Sequence, residues 1–118
     1  MLPQEFLQFA KWLQTQVSPH AEAKSRTMVS RAYYAAFLEA RIKVSRFYPE
    51  IASLRTRDVH AKVRQRLKWM RHSTLSDELL SLFRKRGRAD YDLASFDEKT
   101  VQKAITESDH IIERLARL

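Results

Sequence analysis

Apolar side chains recur along this chain in steps of three and four, and almost nowhere in strict alternation. That period is what an α-helix needs to present one face to a core. Leu2, Phe6, Phe9, Leu13 and Val17 predict an amphipathic helix over residues 3–17, with Pro3 in its first turn, where a missing N–H costs nothing. Ser18-Pro19 then reads as a helix cap followed by Pro at the first helical position. The second helix runs to about residue 47 on a stripe of Val29, Tyr33, Ala36, Ala40, Val44 and Phe47. Its many alanines leave room for neighbouring backbones to come close. Tyr48-Pro49 ends it, because the residue before a proline is pushed out of the helical region.

Residues 48–57 carry no such period and are expected to form a loop. A third helix follows over residues 58–72, with Val59, Val63, Leu67 and Met70 inward and Lys62, Arg64, Arg66 and Lys68 outward. Ser73-Thr74 offers the next cap, with Asp77 three residues after Thr74, close to a capping box. The fourth helix carries Leu75, Leu79, Leu82 and Phe83, and the only glycine, Gly87, falls near its end. Ser95 and Glu98 form a capping box for the last helix, which continues through Val101, Ile105, Ile112 and Leu115. Helices joined by short connections favour antiparallel neighbours. The expected fold is therefore all-α, an up-and-down bundle of four to five helices, in one domain over residues 1–118.

Composition narrows the function more by exclusion than by assignment. One Gly and three Pro are too few for the turns of a sandwich or barrel, and an apolar fraction of 44% is enough to bury a core. The absence of Cys removes disulfides, thiolate metal sites and cysteine nucleophiles. No His, Asp and Glu group has metal-ligand spacing and no glycine-rich phosphate loop is present, so neither metal nor cofactor is expected. No apolar run approaches the roughly 20 residues of a membrane span, and no basic-then-apolar leader opens the chain. The expectation is a cytoplasmic protein that avoids membranes.

Charge points the other way, towards a partner. The formal net charge is +8, and it is confined to residues 55–88, where eleven Lys and Arg face only Asp58, Asp77 and Glu78. Elsewhere eleven basic residues balance eleven acidic ones. A concentrated basic patch attracts polyanions, nucleic acid above all. The plainer alternative is a solvated helix face.

Two segments carry a resemblance. Ser30-Arg31-Ala32-Tyr33-Tyr34-Ala35-Ala36-Phe37 resembles the second-helix signature of the HEPN superfamily, small helical bundles found in toxin–antitoxin and defence loci and in larger proteins. Leu82-Phe83-Arg84-Lys85-Arg86-Gly87-Arg88-Ala89-Asp90-Tyr91 is similar to the Arg-x-x-Ala-Asp-Tyr ending of one branch of small stand-alone HEPN proteins, and His60 falls where that branch often places a His. The resemblance implies a homodimer with a polar cleft between copies. In its ribonuclease members an Arg, followed four to six residues later by a His, supports metal-free cleavage in which the RNA's own 2′-hydroxyl attacks the adjacent phosphate. Here Arg84 is followed by Asp90 and Tyr91 instead, with no His between them. Arg55 with His60 and Arg66 with His72 meet the spacing numerically.

The candidate catalytic residues are accordingly Arg84, Arg86, Asp90, Tyr91 and His60. Arg31, Tyr34, Arg64, Lys68, Lys85 and Arg88 are candidates for holding nucleic acid or phosphate. A structural alternative stands beside each: a buried Arg–Asp pair that fixes helix packing, or cations gathered at a helix C-terminus by the macrodipole. His20 and His110 read as surface or packing residues, and Trp12 and Trp69 as core or interface residues. The functional expectation is an RNA-binding or RNA-cleaving protein of a toxin–antitoxin or phage-defence module. The alternative is a non-catalytic subunit that pairs with a nucleotidyltransferase-like or other partner from a neighbouring gene, or that binds a nucleotide. The homodimer is expected to bury parts of the second and fourth helices.

Overall fold

The computed structural model describes residues 2–91 and 97–118, and these are helical nearly throughout. Among these described residues six helices follow one another: α1 (Pro3–Gln14), α2 (Ala21–Ser45), α3 (Glu50–Ser53), α4 (Val59–Trp69), α5 (Ser73–Tyr91) and α6 (Glu98–Leu115). The helix beyond the expected five is α3, a single turn inside the predicted loop. It forms because Ile51 is fully buried there and the Arg41 guanidinium of α2 donates to the carbonyls of Ile51, Ala52 and Leu54. That clamp satisfies carbonyls that a one-turn helix leaves open.

Helix α2 is the centre of the bundle, since every other helix packs against it. The predicted stripe of Val29, Tyr33, Ala36, Ala40 and Val44 is fully buried, and so are Ala32 and Ala35. Small side chains on so much of its surface allow close approach from several sides at once. Around it, Leu67 of α4, Leu79 and Leu82 of α5, and Ile111 and Leu115 of α6 complete one continuous core. Ser108 donates to the Ala32 carbonyl at 2.7 Å and Ser76 to the Arg64 carbonyl at 2.9 Å, so both buried hydroxyls pin one helix to another.

Several expectations need correction. The buried side of α1 is Pro3, Leu7 and Ala10, with Phe6 and Leu13 half-buried, one step around from the predicted stripe. Ala10 fits the tight approach to α2, whereas Leu2, Phe9, Trp12 and Val17 stay exposed. Phe47 is also exposed, because α2 stops at Ser45 and the Phe47 and Tyr48 amides turn back onto the Val44 carbonyl. Trp12 and Trp69 are each 55% exposed and so are not core residues. On α6 it is Ile111 that is buried, with Ile112 at its margin.

The caps differ too. Ser18 accepts the His20 amide at 3.0 Å within a turn, so α2 begins only at Ala21. Thr74 lies inside the first turn of α5, and α6 is capped by Asp97, whose carboxylate accepts the Thr100 amide at 2.8 Å. Glu98 is thus the first residue of α6, and the predicted partner Ser95 lies outside the described residues. Helix α4 closes in a Schellman turn: the His72 amide reaches the Leu67 carbonyl and the Arg71 amide the Lys68 carbonyl, at 2.8 and 3.0 Å. Arg71 sits there at φ 67°, the left-handed position that glycine usually fills.

Candidate functional site

The chemistry gathers where α2, α4 and α5 meet. Tyr33 of α2 is fully buried, and a buried phenol must find a partner for its hydroxyl. It finds His60, in the first turn of α4, at 2.6 Å from Nδ1. The imidazole lies flat against Phe37, with ring centroids 4.2 Å apart, and touches Tyr33 and Phe83 at 5.7 and 5.3 Å. Burial in this aromatic box disfavours the imidazolium, and the positive charges of Arg86, Arg64 and Arg41 disfavour it further. Together they push the His60 pKa down to about 4. Burial also drives the Tyr33 hydroxyl well above its ordinary range, so the phenol keeps its proton. Near pH 7 the phenol therefore donates to Nδ1, which leaves the imidazole proton on Nε2.

Guanidinium groups ring this box. Arg86 of α5 donates to the Tyr34 hydroxyl at 2.9 Å, and its Nε lies 2.8 Å from the Asp90 carboxylate one turn further on. Its guanidinium carbon is 5.1 Å from the Tyr34 ring, and that of Arg31 is 5.6 Å from both Tyr34 and Phe6. Arg64 of α4 stacks on Phe83 at 4.9 Å, with Nη1 buried and without a hydrogen-bond partner. Burial pulls the Arg64 pKa down; the Tyr33 phenol offsets part of this, and the charge of Arg84 adds to it. Arg31, Arg64 and Arg86 thus gather at this junction, and Asp90 pairs with Arg86 there.

Of the residues singled out from sequence, Arg31, Tyr34, His60, Arg64, Arg86 and Asp90 come together, with Arg84 exposed at the margin. Lys85 turns away to the Glu107 carboxylate of α6 at 2.6 Å. Arg88 is exposed and lines a separate depression with Lys99 and Lys103. Lys68 is exposed near the far end of α4, and Tyr91 is 80% exposed at the end of α5. The two numerical Arg–His pairs do not assemble. Arg55 is exposed in the connection before α4, while Arg66 stacks on Trp69, and His72 lines a different hollow with Arg71, Arg114 and Arg117.

The residues missed were the box itself. The helical period marks Tyr33 and Phe83 as core, and Phe37 enters only as part of a motif. The available signal was the aromatic pair Tyr33 and Phe37, one turn apart on α2. Among the described residues no His, Asp and Glu group could hold a metal ion, and no helix is long and apolar enough to cross a membrane. No protein-family model, no curated protein and no solved structure matches the chain.

Proposed function

We propose that the chain is a HEPN-type helical protein that binds RNA phosphates in the α2–α4–α5 cleft, within a toxin–antitoxin or phage-defence module. The observation that carries this reading is the placing of Arg31 and Arg86 against Tyr34 and of Arg64 against Phe83, beside His60, with the Arg64 Nη1 buried and unsatisfied. Like charges held together in a partly dry cleft raise the free energy of the unliganded protein, and an anion relieves it.

The same geometry favours holding RNA over cutting it. Metal-free cleavage needs one group to accept the 2′-hydroxyl proton and another to protonate the leaving oxygen. His60 is neutral near pH 7, with Nδ1 engaged by Tyr33, and Asp90 is tied to Arg86. Neither is placed to give up a proton. The test is fluorescence anisotropy with a labelled single-stranded RNA across a salt series. Arg64→Gln with Arg86→Gln should weaken binding and flatten the salt slope by roughly 1–1.5, about 0.7 per lost phosphate contact. Unchanged affinity and slope would refute the site. Strong cleavage in EDTA that disappears in His60→Ala would make the protein a nuclease.

A second reading, a homodimer or a subunit docked on a partner such as a nucleotidyltransferase, is favoured by a different feature. Phe9 and Trp12 of α1 and Leu2 at its N-cap are exposed apolar side chains. Light scattering separates dimer from monomer.

A further inference from the structure

At the far end of α4 from His60, an exposed indole is held in a built setting. Trp69 is 55% exposed, yet the Arg66 guanidinium lies only 4.0 Å from its ring centroid and the Tyr48 ring meets it edge-on at 5.8 Å. Arg66 is itself fixed: its side chain is only 12% exposed, its Nε is 3.5 Å from the Glu50 carboxylate, and its Nη1 donates to Gln65 at 2.6 Å. The indole is therefore backed on one side by an immobilised cation, and the surface left to solvent is the rest of the ring. A large apolar face kept in water at this cost in hydration, and kept stiff, is prepared to be covered.

What surrounds it selects the occupant. Lys68 and Arg71 stand exposed on either side of Trp69 in the sequence, Lys68 in the last turn of α4 and Arg71 in the turn that closes it. Lys68 and Arg71 have no acidic partner among the described residues. From His60 to Trp69 the helix rises about 13.5 Å, at about 1.5 Å per residue. Exposed cations next to a rigid aromatic face match a strand whose phosphates and bases point to different sides. A duplex keeps its base faces stacked inside, so only an unpaired strand can offer one to an indole.

We propose that Trp69, backed by Arg66 and Tyr48, is a base-stacking platform for single-stranded RNA whose phosphates meet Lys68 and Arg71. This rests on the RNA-binding reading of the cleft and extends it along α4. The chain has two tryptophans, so Trp12→Phe leaves Trp69 as the sole indole reporter. In that background, a labelled oligouridine should quench the Trp69 emission in step with the rise in its own anisotropy, while a duplex RNA of equal length should leave the emission unchanged. Trp69→Ala should weaken oligouridine binding roughly 5- to 150-fold without changing the salt slope, because stacking releases no counterions. Trp69→Phe should recover part of the loss, which separates stacking from misfolding.

If oligouridine binds with its Arg64 and Arg86 dependence intact, but Trp69 emission and the affinity of Trp69→Ala stay within twofold of the parent, the platform is refuted and the cleft reading stands. If neither RNA binds, both fall. If Trp69→Ala breaks a dimer and leaves RNA affinity unchanged, the patch is a protein contact and the platform is overturned.

Discussion

The His60–Tyr33 pair makes a pH-dependent contribution to stability whose sign and size follow from its surroundings. In the unfolded chain the imidazole has its ordinary pKa of 6.5, and in the folded protein the value falls to about 4. As the pH drops, the unfolded chain therefore takes up a proton first. The contribution is complete above pH 6.5, is lost progressively as the pH falls towards 4, and is flat below that. At 1.36 kcal/mol per unit the ceiling is about 3 kcal/mol. The imidazole is partly open to water, and screening should reduce this to about 1–2 kcal/mol. His60→Gln keeps an acceptor for the Tyr33 hydroxyl but cannot titrate in this range. Urea unfolding of both proteins from about pH 7.5 to about pH 4.5 cancels the carboxylates they share, so their difference isolates His60. Wild type should lose 1–2 kcal/mol relative to His60→Gln across that window, about the discounted linkage. NMR titration of the imidazole should give the depressed value directly. A His60 that titrates near 6.5, or a stability difference that stays flat with pH, would refute the aromatic-box argument. An RNA phosphate between Arg64 and Arg86 would push the value back up, since a nearby anion favours the imidazolium.

Two further predictions concern the backbone of the basic segment. Gly87 lies inside α5, and a Cβ added there would meet nothing within 4 Å, so Gly87→Ala should stabilise the protein by about 0.5–1 kcal/mol. A fall in the urea midpoint would mean that α5 does not continue through this residue. Arg71 occupies a left-handed position at φ 67° that disfavours any side chain, so Arg71→Gly should add up to about 1 kcal/mol, read from the same midpoint. No gain, or a loss, would count against the Schellman turn at the end of α4.

The five long helices were legible because their buried faces repeat at the helical period, and the periodic stripe on α2 is the clearest case. What the pattern left out has physical causes. Helix α3 is a single turn, too short to show a period, and it depends on Arg41 reaching across from α2. Apolar character did not mark burial at Phe9, Trp12, Phe47 and Trp69, which stay exposed while alanines fill buried positions of α1 and α2. Ser18 and Thr74 have good capping chemistry, but nothing local told that Ser18 would serve a turn and Thr74 a helical position. At the site, the charged members came from motif spacing and net charge. Tyr33 and Phe83 stayed hidden because a ring that boxes a histidine and a ring that fills a core look alike in sequence.

The position of α2 also sets which parts of this protein are free to diverge. Each of the other five helices has one side against α2 and a side turned elsewhere, so each can vary on its outer surface without disturbing the rest. Helix α2 has little outer surface over its middle: from Met28 to Phe37 only Arg31 and Tyr34 are not buried. A larger residue at Ala32, Ala35 or Ala36 would strain several interfaces in one step, and compensation would have to come from more than one neighbour. Related chains could therefore drift far apart in α1, α4 and α6 while this ten-residue stretch changes slowly, and Arg31 and Tyr34 would be carried along in its most constrained part.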